Sequence, residues 1–191
     1  MQEIVPQISR PPYIKKKGYC VNPVVRFGIP KEADSRNNPN VIGTVAWEQY
    51  WNEQLYYIHH GYQTGGLWVP GRYYYYMNFA LMNTIRGTIN PDATDLHLEL
   101  AYHIEYCKAN GYNLMMPKGR RRGISEATHP MTTDYGYRFS IISPGVVGKH
   151  QGAIVAGDAD PIKDYIDKWE FLDSNVPPEF YIGKLDRKSV V

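Results

Sequence analysis

An α/β fold, built on a parallel sheet with flanking helices, is what this sequence predicts, and three observations carry it. Two short apolar runs, residues 113–116 (Asn-Leu-Met-Met) and 152–156 (Gly-Ala-Ile-Val-Ala), read as buried strands. Each is followed by a turn and then a helical pattern, the first opening at Ile124 and the second covering residues 162–171. Strand–helix units in succession call for parallel strands with ligands at their carboxyl ends. The 191 residues are enough for one domain plus an appendage and for a sizeable core.

Composition narrows the function classes. The 21 basic and 19 acidic residues nearly cancel, which disfavours both a globally basic nucleic-acid binder and an acidic solvating tail. With 43% apolar and 21% charged residues the chain reads as globular rather than disordered. No window approaches the ~20 apolar residues of a membrane helix. Met1-Gln2-Glu3-Ile4 lacks the charged start and apolar run of a signal peptide. Cys20 and Cys107 stand too far apart for a metal knuckle and too few for a disulfide framework, so a reducing compartment fits.

Taken in order, residues 1–43 read as an irregular arm. Pro6, Pro11, Pro12, Pro23, Pro30 and Pro39 break it, with one short strand expected at 24–27. Lys15-Lys16-Lys17 is a solvated face or a phosphate-backbone contact. Residues 44–191 then form the main body. A helix is expected from Val45 to His60, with Thr44 as its cap and Gly61 as its stop. Trp47, Tyr50, Trp51, Leu55 and Ile58 fall on its buried face. His59 and His60 are adjacent, so they point apart and no third ligand stands at a helpful spacing for a metal.

Glycines and Pro70 mark turns between 61 and 71, and Tyr73-Tyr74-Tyr75-Tyr76 then predicts a strand, since aromatic rings suit a pleated surface. Two tyrosines would face the core and two the opposite side, as well-packed strand residues or as a stacking platform for bases. A second helix is expected from Leu96 to about Ala109, capped by Thr94 or Asp95 and stopped by Asn110-Gly111. Leu100, Ala101, Ile104 and Cys107 form its buried stripe, while His97 and His103 lie off it.

Chemistry concentrates between Met116 and Glu126. Lys118, Arg120, Arg121 and Arg122 are interleaved with Gly119 and Gly123, and a helix opens at Ile124. A helix N-terminus presents unpaired amides and partial positive charge to an anion, and glycine lets the backbone approach it. Ser125 supplies a first-turn hydroxyl of the kind that ligates Mg²⁺ in a P-loop, and Lys118 a point charge for β/γ phosphates. The usual pattern G-x-x-x-x-G-K-[ST] is met only in part. Gly123 and Ser125 hold its last glycine and hydroxyl, but Ile124 stands at the lysine position and Lys118 at the first glycine. A basic surface turn is the competing reading. Downstream, Asp160 with Pro161 marks a helix start, and Ile162, Tyr165, Ile166 and Trp169 share one face.

The segment LMMPKGRRRGISE resembles the variant Walker A loop of large terminase subunits, the DNA-packaging motors of tailed bacteriophages. GRYYYYMNFALM is similar to the aromatic stretch preceding that loop in terminases of crAss-like gut phages, and GAIVAGDADPIKDYIDKW to the strand and helix after it. The resemblance spans roughly residues 46–171 and implies a P-loop NTPase-like parallel sheet, incomplete here. It implies ATP with Mg²⁺ bound by Lys118, Gly119, Arg120, Arg121, Arg122, Gly123, Ile124 and Ser125. Lys118 would hold phosphate and Arg120 would sense the γ-phosphate, the two catalytic positions, with Ser125 on the metal. Adenine is expected near Tyr76, Asn78 and Tyr102. Implied partners are double-stranded DNA, a portal protein, a small terminase subunit and further copies in a ring, in the host cytoplasm.

Pro130 falls inside the helix after the loop, which must kink or end there. No run of four apolar residues ending in two acids follows Ala156, so the Walker B strand and the nuclease acids of a complete motor are not found. Asp158 and Asp160 are better explained as loop and cap. Two alternatives stay open: a non-catalytic nucleic-acid-binding module using Arg120–Arg122 and tyrosine stacking, and a structural virion protein whose tyrosines are only core.

Overall fold

A computed structural model describes residues 40–64, 67–84, 87–89, 91, 95–116, 124–140 and 159–180. The expected strand at 24–27 and most of the N-terminal arm lie outside them. The first helix, α1 (Val45–His60), matches its predicted bounds. Thr44 Oγ1 accepts from the Trp47 amide at 3.3 Å and donates to the Val41 carbonyl at 2.7 Å, closing the N-terminus. Gly61 ends the helix at φ +83°, its amide on the Tyr57 carbonyl at 2.9 Å. Trp51 and Ile58 are buried, Trp47, Tyr50 and Leu55 are half-buried, and Gln54 joins the buried face.

A short antiparallel hairpin follows: β1 (Tyr62–Thr64) pairs with β2 (Leu67–Val69), Tyr62 opposite Val69. Pro70 then opens α2 (Gly71–Asn78), with the Tyr73 and Tyr74 amides both on its carbonyl at 2.9 Å. This overturns the strand expected at the four tyrosines. Strand propensity of aromatic residues is a statement about fit to a half-buried surface. Here every residue of α2 is buried, so the rings point in all directions around a helix axis. Gly71 sits where α1 and α2 cross. A Cβ added there would stand 1.8 Å from the Ile58 carbonyl oxygen, so only glycine permits the approach.

A second hairpin, β3 (Met82–Thr84) with β4 (Gly87–Ile89), is also antiparallel. The helix α3 (Asp95–Asn110) comes next and stops as expected at Gly111, φ +66°. Its end is a complete Schellman motif: the Tyr112 amide reaches the Cys107 carbonyl at 2.8 Å and the Gly111 amide the Lys108 carbonyl at 3.5 Å. The accompanying contact pairs the exposed rings of Tyr106 and Tyr112, centroids 6.1 Å apart. Leu98, Leu100 and Ala101 are buried, and Ile104 and Cys107 half-buried. His97, expected off the stripe, is buried against Tyr76. The reason is that α2 covers a wider arc of α3 than a single stripe.

The rest is helical: α4 (Ile124–Thr128), a π-helical turn (His129–Asp134), α5 (Tyr135–Ser140), α6 (Ala159–Asn175) and a closing 3₁₀ turn (Pro178–Phe180). The core centres on α2, which touches α1, α3 and the π turn. Around it Tyr75, Phe79, Phe139 and Phe180 form an aromatic cluster, with Phe79 and Phe180 4.8 Å apart and Tyr75 and Phe139 5.1 Å apart. Among the described residues the strands are the two antiparallel hairpins, and no parallel pair is present. Of the two strands expected to form a parallel sheet, residues 113–116 are irregular and 152–156 lie outside the described residues. No described helix is long and apolar enough to cross a membrane.

Gly71→Ala is expected to cost about 3 kcal/mol in a urea titration, because the new methyl meets backbone that cannot yield. Thr44→Ala in the same assay should cost only about 1 kcal/mol, the value of a solvent-exposed cap.

Candidate functional site

The basic loop is framed by two described segments. On its N-terminal side residues 113–116 are neither strand nor buried: Leu114 is 41% and Met115 91% exposed, and only Met116 leans on the core. A buried strand entering the loop is thus corrected to an exposed irregular segment. Apolar composition alone predicts a strand there. The segment's place directly after the Schellman turn instead carries it across the surface. Lys118, Gly119, Arg120, Arg121, Arg122 and Gly123 all lie outside the described residues. On the C-terminal side α4 begins at Ile124, as expected, and Ile124 is buried. Ser125 is the second residue of α4, its side chain not among those described.

Pro130 has the predicted effect, and the form it takes is specific. Lacking an amide, it shifts the helix from α to π spacing over one turn, and the Tyr135 amide returns to the Pro130 carbonyl. Thr128 and Thr132 hydroxyls bond the carbonyls four residues back, at 2.6 and 2.5 Å. Arg72 of α2 takes up the Met131 carbonyl at 2.7 Å. Its guanidinium also pairs with Glu105 of α3 at 2.5 Å and lies over the Tyr135 ring, 4.9 Å from the centroid. One cation thereby ties α2, α3 and the rod leaving the loop.

A second buried charge group stands one turn further on. Arg138 is fully buried and bonds both oxygens of Asp134, at 2.9 and 3.0 Å. It also reaches Asp173 of α6 and the Phe180 carbonyl. The Tyr75 hydroxyl donates to Asp134 from α2. Burial pushes the Asp134 carboxyl up, and Arg138 opposes that shift. Burial also works against the charge on Arg138, but Asp134 outweighs it and the guanidinium is held above its usual range. Burial, reinforced by Asp134, raises the Tyr75 hydroxyl well above its ordinary value. These groups bond one another across three elements, which fixes α5, α6 and α2 together. Among the described residues no three His, Cys, Asp or Glu side chains group to hold a metal ion.

The expected adenine neighbourhood is core. The Tyr76 hydroxyl lies 3.5 Å from His97 Nδ1, Asn78 Nδ2 donates to the Tyr74 carbonyl, and the Tyr102 hydroxyl donates to the Trp68 carbonyl. All three residues are buried, which removes them as a shelf for a base. The four tyrosines of α2 are equally inaccessible and form no stacking platform. Asp160 lies within α6 rather than capping it, one residue past its start. Sequence reasoning passed over Arg72 and the Asp134–Arg138 pair. The four-residue acid–base spacing of that pair was the available signal; nothing in the sequence pointed to Asp173.

Compared with protein-family models, with curated proteins and with solved structures, the chain shows no match.

Asp134→Leu should destabilise the chain by about 3 kcal/mol, since it strips a buried guanidinium of its main partner. The double variant Asp134→Leu/Arg138→Met is expected to lose less than the two single variants together, with a coupling of about 1 kcal/mol or more in a denaturation cycle.

Proposed function

We propose that this chain is the ATP-binding portion of a viral DNA-packaging motor of the large-terminase type, using residues 118–125 as a variant Walker A loop. One observation supports the reading above the others: α4 starts at Ile124, immediately after Gly123, with Ile124 buried at its head. The amides of a first helical turn then follow Lys118 and a run of three arginines flanked by Gly119 and Gly123. The donor set suits the ligand. A lysine, three arginines and main-chain amides match the charge of a triphosphate, and a serine hydroxyl is a hard oxygen suited to Mg²⁺.

In this reading Lys118 neutralises the β/γ phosphates and Arg120 contacts the γ-phosphate, where charge spreads during transfer. Gly119 and Gly123 let the backbone close on the anion. Ser125 would supply its hydroxyl to a Mg²⁺ ion, whose charge would offset that of the phosphates. Arg121 and Arg122 add cationic charge to the cradle. The rod from α4 to α5, clamped by Arg72 and Arg138, holds the loop's C-terminal end against the core. Double-stranded DNA, a portal protein, a small terminase subunit and a ring of like subunits are the partners of such a motor, working in the host cytoplasm. Hydrolysis by this chain alone is slow in this reading, because no Walker B acid pair was found in the sequence.

The exposed approach through Leu114 and Met115 favours a second reading. There the loop is a surface arm of a non-catalytic nucleic-acid-binding module, with Arg120, Arg121 and Arg122 on phosphates and no part for the buried tyrosines.

A fluorescent-ATP titration with Mg²⁺ separates the two. Lys118→Ala is expected to weaken binding by roughly tenfold or more, the loss of one charge-assisted phosphate contact. Equal binding by wild type and variant removes the nucleotide assignment. Oligonucleotide affinity that falls steeply with salt and ignores ATP supports the second reading instead.

A further inference from the structure

We propose that His129 is an acid-sensitive latch: neutral, it holds α6 on the rod formed by α4, the π turn and α5, and protonated, it releases α6. The proposal stands independently of the nucleotide reading. His129 is the first residue of the π turn and is 4% exposed. Its ring meets Tyr165 of α6 at 4.5 Å with an interplanar angle of 74°, and Trp169 one turn on at 6.4 Å. Among the described residues neither ring nitrogen has a hydrogen-bond partner. A neutral imidazole always carries one donor and one acceptor, so burial here costs both unless they are matched. An apolar ring would fill the slot without that penalty. What the imidazole adds is a second charge state.

Among the described residues, the charged groups around His129 are opposed to that charge or already paired. On α6 Lys168 opposes protonation and is itself paired with Asp164 at 2.7 Å. Asp173, further along α6, is held by Arg138 of α5. Within the π turn Asp134 is committed to Arg138 and Tyr75. From α2, Arg72 adds positive charge and is paired with Glu105. The one acid of α4 is Glu126, whose side chain is not among those described.

The direction with pH follows. Burial first, and Lys168 second, pull the His129 pKa from 6.5 down to about 4. Once α6 leaves, the ring returns to its ordinary value. At neutral pH both states are uncharged and the latch is closed. As pH falls from 6.5 toward 4 the released state binds a proton that the docked state refuses, so docking weakens across that window. The Tyr165 and Trp169 face of α6 is then uncovered, an apolar surface presented only in acid.

Amide hydrogen exchange on the full chain tests this. Between pH 7 and pH 5, after correction for intrinsic rates, protection of residues 162–175 should fall roughly twentyfold, the linkage of one proton bound near pH 6.5 when released and about 4 when docked. Protection in α1 and α2 should stay, and in His129→Phe the α6 loss should vanish. Equal loss in α1, which reports global acid unfolding, overturns the latch. So does the same α6 loss in His129→Phe. Should that variant not fold, a carbon-13 NMR titration of the six wild-type histidines decides. A His129 signal that stays neutral down to pH 5 while α6 is protected supports the latch, and one that titrates near 6.5 with α6 still protected overturns it.

Discussion

Everything in this molecule is arranged around one constraint: α2 is buried on all sides, yet four of its eight residues are tyrosines and one is an arginine. Burying such a helix supplies a large apolar area. It also strands hydroxyls and a guanidinium where water cannot reach them, and each must find a protein partner or cost several kcal/mol. The neighbours are chosen to meet that demand. Gln54 of α1 accepts from Tyr74, Asp134 of the π turn accepts from Tyr75, His97 of α3 stands beside Tyr76, and Glu105 and Met131 receive Arg72. The polar tips thus decide which element lies on which side of α2, while the rings supply the cohesion.

The π turn is the second consequence. Pro130 removes an amide, and across the π turn carbonyls are left to accept from side chains. Arg72 uses one of these. The same turn brings Asp134 under Tyr75 and Arg138 under Phe180, so an irregularity forced by one residue becomes the joint between α2, α5 and α6. The first residue of that joint is His129, buried against the rings of Tyr165 and Trp169. The rod therefore touches α2 through charge and α6 through both charge and a neutral ring.

Legibility differed sharply between elements. α1 and α3 were readable to within a residue because their signals are local: Thr44 and Gly61 around one, Gly111 after the other, with apolar spacing between. The end of regular α spacing near Pro130 was readable for the same reason. The tyrosine run was not, since aromatic residues serve a strand or a fully buried helix equally well, and only the crossing at Gly71 tells them apart. Residues 113–116 misled in the opposite way: an apolar tetrapeptide is no evidence of burial when the turn before it directs the chain outward. Of the candidate site, the helix start at Ile124 was legible from Gly123, whereas the charges that brace the rod behind it were not.

The sequence by itself determined the helices that carry their own caps, stops and periodicity, and it singled out the stretch where cations, glycines and a helix start coincide. Tertiary structure decided the state of the tyrosines, the burial of His97 and His129, and the partners of Arg72 and Arg138. The physical reason is range. Capping and periodicity act within a turn or two of chain, whereas the cost of a buried hydroxyl or charge is settled by groups tens of residues away, whose arrival no local pattern announces.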